Sequence, residues 1–433
     1  MRDLLRKANE HTRRDVLTSI AKTALGVSVV PFANEMMNSV ALAGPAAAAG
    51  KAEHVIYLFM NGAMSHIDTF DPKPGTDAGG ETTAISTSVP GLSLGSHLPL
   101  LAKQMDRLAV IRSMTTETGA HEQGAYLMRT SFKMIGTIRH PFLGSWLTEV
   151  AGKANKDLPG CVVVGAANRH PGQGYLSADT APAPVADPKV GLQNTQSPKY
   201  LKENDFETRQ RLISKFDSAF KSKYESTEVE AYVDYYREAV RLLKSPDLVA
   251  FDISKEDEKV RTTYGNHRIG QGCLLARRLV EKKVRFIEVE YGSWDNHNDI
   301  YSATNIIEKT AQLDQAVTAL LDDLQSKGLL QKTLVVLGTE FGRTPKINQN
   351  AGRDHHPGAF SCMLAGAGIK GGQIIGRTDA NGRDVEDGHC FPQDLNATIA
   401  AACGLPLDKE FHSASGRPFL IADHGKPVTA VLG

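Results

Sequence analysis

Acidic and imidazole side chains stand directly after the apolar runs that the sequence predicts as strands. Asp295 and His297 follow one run, Glu340 follows the next, and a loop then presents Asp354-His355-His356. Ligands of open parallel sheets bind beyond the carboxyl ends of the strands. Carboxylate oxygen and neutral imidazole nitrogen are the donors that a divalent metal needs. The sequence therefore predicts a metal site at this edge, with Zn²⁺, Mn²⁺, Mg²⁺ or Ca²⁺ as the ion.

The spacing of Asp295 and His297 favours chelation. The two residues are two apart on an extended segment that leaves a strand, so both side chains can point to the same side. The alternative is a solvated turn, in which Asp295 caps the following backbone and His297 packs on Trp294. The Asp354-His355-His356 run has limited specificity by itself. It is the coincidence of several such clusters at strand ends that favours a metal site.

Short apolar runs rich in β-branched residues predict strands, and helical patterns alternate with them. The predicted strands are His54–Met60, Leu108–Ile111, Cys161–Val164, Val284–Val289 and Thr333–Leu337. Apolar residues recur at helical spacing over Arg268–Lys283 and Ile306–Gln325. This order predicts an α/β fold with a largely parallel central sheet and helices on both faces. A charged section at about 197–259 predicts a helical insertion, and segments 72–91 and 177–191 predict surface loops.

The first 43 residues have the order of a twin-arginine export signal. A basic segment ends in Arg13-Arg14, a mildly apolar stretch runs from Leu17 to Pro31, and Ala41-Leu42-Ala43 suits a signal peptidase. The apolar stretch is shorter than the ~20 residues of a bilayer span. We therefore expect residues 44–433 to be one domain without a stable membrane span, exported folded by the twin-arginine machinery to the periplasm or cell surface. An amphipathic helix with a chance arginine pair is the alternative.

The amino-acid composition argues against a nucleic-acid partner, an anionic membrane surface as a partner and a disulfide framework. Lys plus Arg and Asp plus Glu both total 49, so there is no basic excess with which to bind nucleic acid or an anionic membrane. The five cysteines lack a CxxC spacing, and most lie among apolar neighbours, where a free cysteine usually fills the core. Neither a nucleic-acid partner nor a disulfide framework is expected.

Two glycine motifs resemble functional signatures but stand in the wrong context. Gly91–Gly95 matches the GxSxG elbow of serine hydrolases, yet a polar segment precedes it where a buried strand is required. Gly366–Gly371 matches GxGxxG, but it leads into strand-like Gln373–Ile375 instead of a helix. A serine esterase built on Ser93 and a dinucleotide site are therefore disfavoured, and a glycine turn between strands is expected at the second motif.

Several blocks resemble the signature blocks of domain-of-unknown-function family 1501. They are Asn61–Gly62, Asp68–Pro74, His121–Gly124, Ala276–Val280, Trp294–His297, Gly338–Pro345 and Gly352–Pro357, and they span nearly the whole chain after the signal. The resemblance implies kinship with the alkaline phosphatase and sulfatase superfamily, whose members share a parallel sheet that carries one or two metals. Family 1501 itself has no agreed reaction.

The resemblance also implies roles for individual residues. The superfamily's first-strand Asp ligand falls at Asn61, its later Asp and His pair at Asp295 and His297, its next Asp-His at Glu340 and Phe341, and its final His at His355 or His356. Asn61 thus stands where the superfamily has an acid, and Phe341 stands where it has a histidine. These departures favour a single or rearranged metal centre over two metals.

The nucleophile is the largest departure from the superfamily pattern. Its members place a hydroxyl or modified Cys at a helix N-terminus after the second strand, where backbone N–H groups stabilise an oxyanion. Thr116 and Thr118 occupy that region here, and His121 is a candidate ligand or general base. The alternative is a threonine that caps a helix predicted at Glu122–Lys133.

Two arginines stand beside the predicted ligands. Arg343 and Arg353 are candidates for binding an anionic ester through a bidentate fork. Either is equally suited to be a structural partner of Glu340 or Asp354.

These residues together predict an exported, metal-dependent hydrolase. The resemblance implies an anionic ester as substrate, a sulfate or phosphate carried by a small molecule or a glycan. The alternative is a non-catalytic exported protein that keeps a remnant metal site for binding carbohydrate or a partner. Asn61 and the missing nucleophile motif support that alternative.

Overall fold

The computed structural model describes residues 52–165, 169–193, 195, 208, 211 and 237–433. The predicted signal at 1–43 and most of the insertion predicted at about 197–259 lie outside the described residues. At the end of that insertion, residues 237–244 are helical and two 3-10 turns follow at Pro246–Phe251 and Ile253–Lys255. The described end of the predicted insertion is therefore helical.

A central sheet runs through the described residues. Its strands are β1 (His54–Phe59), β2 (Leu108–Met114), β3 (Cys161–Val164), β4 (Ala183–Val185), β5 (Phe286–Glu290), β6 (Thr333–Gly338), β7 (Phe360–Gly366) and β8 (Gln373–Ile375). Their order across the sheet is β8-β2-β7-β6-β1-β5-β3-β4. Strand β7 is antiparallel to both its neighbours, and every other pairing is parallel. The prediction of a largely parallel sheet is confirmed.

The central strands form where the sequence is continuously apolar. Every residue of β1 and of β6 is buried, as expected for strands that are covered on both faces. Strand β2 continues to Met114, beyond its predicted end at Ile111. Strand β4 lies inside 177–191, which the sequence predicts as a loop, because this short edge strand has too few apolar residues to give a pattern.

Helices cover both faces of the sheet, as predicted. They are α1 (Pro99–Ala102), α2 (His121–Thr130), α3 (Leu143–Ala151), α4 (Glu258–Tyr264), α5 (Arg268–Glu281), α6 (Glu308–Ser326) and α7 (Pro392–Ala402). Helices α1, α5 and α6 pack in one apolar core, and α2, α3 and α7 pack in the other. Each fully buried leucine, such as Leu275 of α5 or Leu320 of α6, contributes about 2 kcal/mol to these cores. Helix α2 ends before its predicted end at Lys133 because Ser131 takes the left-handed conformation, with φ 72°.

Strand direction decides which loops meet. Strands β1, β2, β5 and β6 run the same way, so the loops that follow them leave one edge of the sheet, and antiparallel β7 begins at that edge. A two-stranded ribbon, Gly342–Arg343 with His355–His356, lies between β6 and β7. Four separate chain segments therefore converge on this edge, because the loop that follows β6 is the one that leads through the ribbon into β7.

Within the part of the chain that the structure describes, three further ribbons lie outside the sheet. They pair Ala84–Ser86 with Ser93–Gly95, Arg377–Thr378 with Val385–Asp387, and Phe411–His412 with Pro418–Phe419. The GxSxG-like motif thus belongs to a small ribbon, and the segment between β7 and β8 is the expected glycine turn. None of the helices in the described part of the chain combines the length and apolar character needed to cross a bilayer.

Asp314 of α6 gives the fold a pH dependence. Its carboxylate accepts the backbone N–H groups of Leu100 (2.8 Å) and Leu101 (2.7 Å) at the start of α1, and burial raises its pKa from 3.8 to about 6. Because the folded state binds this proton more tightly, the resulting stability is fully present below pH 3.8 and is lost as the pH rises through about 6. The shift corresponds to about 3 kcal/mol.

We expect the difference in unfolding free energy between the wild type and Asp314→Asn to decrease between pH 4 and pH 7, because the variant lacks this titration. Urea unfolding at several pH values measures that difference. A difference that is independent of pH would show that Asp314 titrates normally.

Candidate metal centre

Three side chains from different elements converge at the shared edge of the sheet. His121 is the first residue of α2, Asp295 follows β5, and His355 lies in the ribbon that precedes β7. One ligand atom from each lies within 4.8 Å of the other two. His297 joins them, since its Nε2 lies 2.9 Å from Oδ1 of Asp295 and 2.9 Å from Nε2 of His355. The structure thus contains a candidate metal site.

Asp295 lies at the centre of this cluster. Its Oδ1 is 3.1 Å from Nε2 of His355, and its Oδ2 is 3.3 Å from Nε2 of His121. Although burial raises the pKa of Asp295, the hydrogen bond and charge of Arg343 outweigh burial and lower it to about 2. Asp295 is therefore a carboxylate across the physiological range of pH, and its side chain is 44% exposed. A ligand can reach the cluster from solvent.

Each of the three histidines has its Nδ1 held by an acceptor. Nδ1 of His121 donates to Oε1 of Glu340 (2.8 Å), and Nδ1 of His297 donates to Oδ1 of Asp354 (2.9 Å). Nδ1 of His355 donates to the carbonyl oxygen of Gly119 (2.7 Å). Since these acceptors fix the proton on Nδ1, the neutral rings all present an Nε2 lone pair. Metal-bound histidines are commonly held by such carboxylate and carbonyl partners.

The converging lone pairs fit a bound cation. Nε2 of His297 and Nε2 of His355 face one another and the Asp295 carboxylate, an arrangement that calls for positive charge. Arg343 supplies part of it from one side, with Nη1 3.5 Å from Nε2 of His297. Nε2 of His121 makes no hydrogen bond to any described residue. Protonation of one ring relieves one contact, whereas a divalent cation satisfies all four side chains. Three imidazole nitrogens and one carboxylate oxygen suit Zn²⁺.

Glu340 holds the His121 ring from below the cluster. Its side chain is fully buried, and Oε1 also accepts the backbone N–H of Gly62 (2.7 Å). The hydrogen bond between Nδ1 of His121 and Glu340 raises the pKa of His121. A β-carbon on Gly62 would lie 2.6 Å from the backbone nitrogen of Trp294, and its φ is +112°, so only glycine lets the loop after β1 approach this closely. Glu340, which the sequence predicts as a metal ligand, is instead the hydrogen-bond acceptor of the candidate ligand His121.

Arg343 is a buried partner of Asp295. Its side chain is 1% exposed, and Nη2 lies 2.5 Å from Oδ1 of Asp295. The guanidinium also donates to the carbonyl oxygens of Gly62, Ala63 and Arg353. The structure therefore uses Arg343 to orient Asp295 and the loop after β1, and leaves it little capacity to bind the predicted anionic ester.

Arg353 is fully buried beneath the ribbon and does not face the cluster. It pairs with the buried Asp68 at 2.9 Å, and it also donates to the backbone oxygens of Thr344, Pro345 and Ala78. With every donor directed to a protein acceptor, Arg353 has none left for an anionic ester, and its carboxylate partner is Asp68 instead of Glu340 or Asp354.

Three predicted ligands are placed away from the converging nitrogen atoms. Asn61 donates its amide to Oε1 of Glu290 (3.0 Å). His356 points to the opposite side of the ribbon from His355, because side chains alternate along a strand, and its Nε2 meets the carbonyl oxygen of Arg383. Asp354 lies behind His297 as its hydrogen-bond acceptor.

The two candidate nucleophiles have different surroundings. Thr118 donates to Gln123 (3.0 Å) and accepts the backbone N–H of Ala120 (3.2 Å), so it supports the segment that enters α2. Thr116 is 9% exposed, and its hydroxyl has no partner among the described residues. Its backbone N–H donates to Pro357, two residues after His355. Of the two candidates, Thr116 is therefore the one whose hydroxyl is buried and not engaged by another described residue.

The carboxylates behind the histidines lead to a prediction about affinity. Glu340→Gln and Asp354→Asn keep an acceptor oxygen but lose the negative charge that faces the Nδ1–H groups of His121 and His297, so each variant should bind Zn²⁺ about tenfold more weakly. Glu386→Gln, an exposed change on another ribbon, is the matched control. Isothermal titration with Zn²⁺ measures all three. Unchanged affinity in both variants would contradict the assigned roles.

Comparisons with known proteins place the chain in a family. One similar solved structure is an alkaline phosphatase superfamily protein from Vibrio parahaemolyticus, with 11% identity over 90% of this chain and 72% of the other and a TM-score of 0.40. A Pseudoalteromonas sulfatase has 15% identity over 86% of this chain and 73% of its own, with a TM-score of 0.37. The alkaline phosphatase of the Antarctic bacterium TAB5 has 12% identity over 83% of this chain and 100% of its own, with a TM-score of 0.38. All three TM-scores lie below 0.5. The fold is therefore defined by the strand order of the central sheet and not by these similarities. The curated proteins gave no match. The model of the DUF1501 family, described as a protein of unknown function, matches residues 52–432, and the chain belongs to that family.

Proposed function

We propose that this protein is a metal-dependent hydrolase of an anionic ester, a sulfate or a phosphate, whose metal is held by His121, Asp295, His297 and His355. The observation that carries the proposal is the convergence of three Nε2 atoms on one carboxylate, with each Nδ1 already held by an acceptor. The predominance of nitrogen donors favours Zn²⁺ over Mg²⁺ or Ca²⁺, which prefer oxygen. The sequence resemblance to the alkaline phosphatase and sulfatase superfamily supplies the substrate class.

The chain's own groups suit such a reaction. A bound Zn²⁺ supplies Lewis-acid and water-activating chemistry. Glu340 and Asp354 keep the protons of His121 and His297 on Nδ1. His121 begins α2, so the first turn of that helix lies beside the cluster with backbone N–H groups that lack intrahelical partners and suit an oxyanion. The free hydroxyl of Thr116 is the candidate nucleophile.

Metal analysis and an ester screen test the proposal. Protein purified from cells should contain about one equivalent of zinc per chain, and it should cleave an aryl sulfate or an aryl phosphate in a chelator-sensitive reaction. Thr116→Ala should remove that activity while zinc stays bound, and Thr118→Ala should retain it. Less than a tenth of an equivalent of bound metal would overturn the metal centre.

A second function is favoured by a specific observation. Both arginines predicted to bind the anion are buried and committed to protein acceptors. Asn61 also stands where the superfamily has an acid. A chain that binds zinc but cleaves no ester would be a binding protein with a remnant metal site for carbohydrate or a partner.

A further inference from the structure

A second group of buried charges lies beneath α2, outside the metal cluster. Arg129 of α2 is 4% exposed, and its Nε donates to Oε1 of Glu288 (2.8 Å) while Nη2 contacts Oε2 of Glu290 (3.0 Å). His170 completes the group, because its Nδ1 accepts the backbone N–H of Gly172 and its Nε2 donates to Oε2 of Glu288 (3.2 Å). None of these side chains belongs to the cluster of ligands.

Each contact of Arg129 is to an element that leads into the metal centre. Glu288 and Glu290 are in β5, whose following loop carries Asp295. The guanidinium carbon lies 4.0 Å from the ring centroid of Phe59, the last residue of β1, and Glu290 also accepts the amide of Asn61 just beyond that strand. Arg129 itself is eight residues after His121 in α2, about 12 Å along the helix axis. One side chain thus ties α2, β1 and β5 together.

The ion pairs of Arg129 with Glu288 and Glu290 depend on the position of α2 relative to β5. A buried carboxylate without a partner is strongly unfavourable, so the fold is held where both glutamates meet the arginine. The planar guanidinium with its fixed donors tolerates little sliding or rotation of α2 along β5. Because His121 is the first residue of the same helix, a shift of α2 relative to β5 would change the position of His121 relative to Asp295.

We propose that Arg129 is a positioning residue for the metal centre: by pairing with Glu288 and Glu290 and contacting Phe59, it fixes α2 on β5 and so sets the separation of His121 from Asp295. The inference rests on the proposed function only in that a metal binds these ligands. It assigns Arg129 no contact with metal or substrate.

A matched control separates positioning from stability. Arg277 of α5 has 1% exposure and pairs with Glu256, Glu281 and Asp323, none of which lies on an element that carries a ligand. Arg129→Met and Arg277→Met therefore each remove one buried guanidinium charge, the first from a helix that carries a candidate ligand and the second from a helix that carries none.

The experiment measures Zn²⁺ affinity by titration of the metal-free full chain, together with the urea midpoint of each variant. Both Met variants should unfold at lower urea. Only Arg129→Met should bind Zn²⁺ at least tenfold more weakly, and Arg129→Lys should lie between it and the wild type because lysine restores the charge without the fork. The double variant Arg129→Met with Glu288→Gln keeps the net charge of the group and provides a folded test if the single variant fails to fold.

The outcomes are distinguishable. Wild-type affinity in folded Arg129→Met, or in the double variant, would overturn the positioning role, as would an equal loss of affinity in Arg277→Met. Absence of Zn²⁺ binding by the wild type would overturn the proposed function instead.

Discussion

Replacing His355 by alanine should weaken Zn²⁺ binding by about a hundredfold or more, whereas replacing its neighbour His356 should leave the affinity within about twofold of the wild type. A zinc site held by four ligands is worth about 10–16 kcal/mol, so losing one ligand costs about 3 kcal/mol. That energy corresponds to roughly a hundredfold in affinity. His356 is the matched control because it faces the carbonyl of Arg383 instead of Asp295.

Competition with a chromophoric chelator measures both affinities, and His121→Ala should behave like His355→Ala. The pairing of adjacent histidines makes the result specific, since both variants remove an imidazole from the same ribbon. Equal losses in His355→Ala and His356→Ala would indicate damage to the ribbon and would contradict the ligand assignment.

Replacing Arg353 by methionine should destabilise the fold by about 3–5 kcal/mol, because it leaves the carboxylate of Asp68 buried without its partner. Both side chains have no exposed surface, so water cannot replace the lost ion pair. Asp68→Asn in the same chain should recover part of that loss. The amide removes the unpaired charge and keeps an oxygen for the hydroxyl groups of Thr82 and Tyr301.

Urea unfolding of the two single variants and the double variant gives the coupling energy directly. Arg383→Met removes an exposed arginine, 71% accessible, and should change stability by less than about 0.5 kcal/mol. A double variant less stable than Arg353→Met alone would show that the charge of Asp68 is tolerated without its arginine.

The architecture could be predicted because continuous apolar runs and helical periodicity are strong signals. β1, β3 and β6 form within a residue of their predicted bounds. Strand β4 was missed because it is three residues long and contains Pro184. The antiparallel direction of β7 has no signature in the sequence, since direction depends on how long connections pack.

The sequence predicted which residues lie at the candidate site more closely than it predicted which of them contact one another. Asp295, His297 and His355 meet as the strand-end argument expects, and His121 meets them because β2 ends at the same edge. Glu340 and Asp354 are acids of the right type in the right loops, but whether an acid meets the metal or a histidine depends on side-chain directions that spacing does not contain.

The two arginines show why charge is a weak guide to function. A guanidinium next to predicted ligands suits an anionic substrate as well as it suits a buried carboxylate, and the sequence carries no information on burial at these loop positions. In the structure both guanidinium groups are buried and donate to protein acceptors.

The ligands come from distant parts of the chain, and this has a consequence for assembly. His121 and its partner Glu340 are 219 residues apart, and Asp295 and His355 are 60 apart. Contacts so distant in sequence form late, after the loops between them have closed. In a partly folded chain the candidate metal site is therefore incomplete, and a metal ion would bind there only after these contacts have formed. An ion bound at this site would oppose unfolding by mass action, so a chelator should lower the free energy of unfolding of the metal-loaded protein.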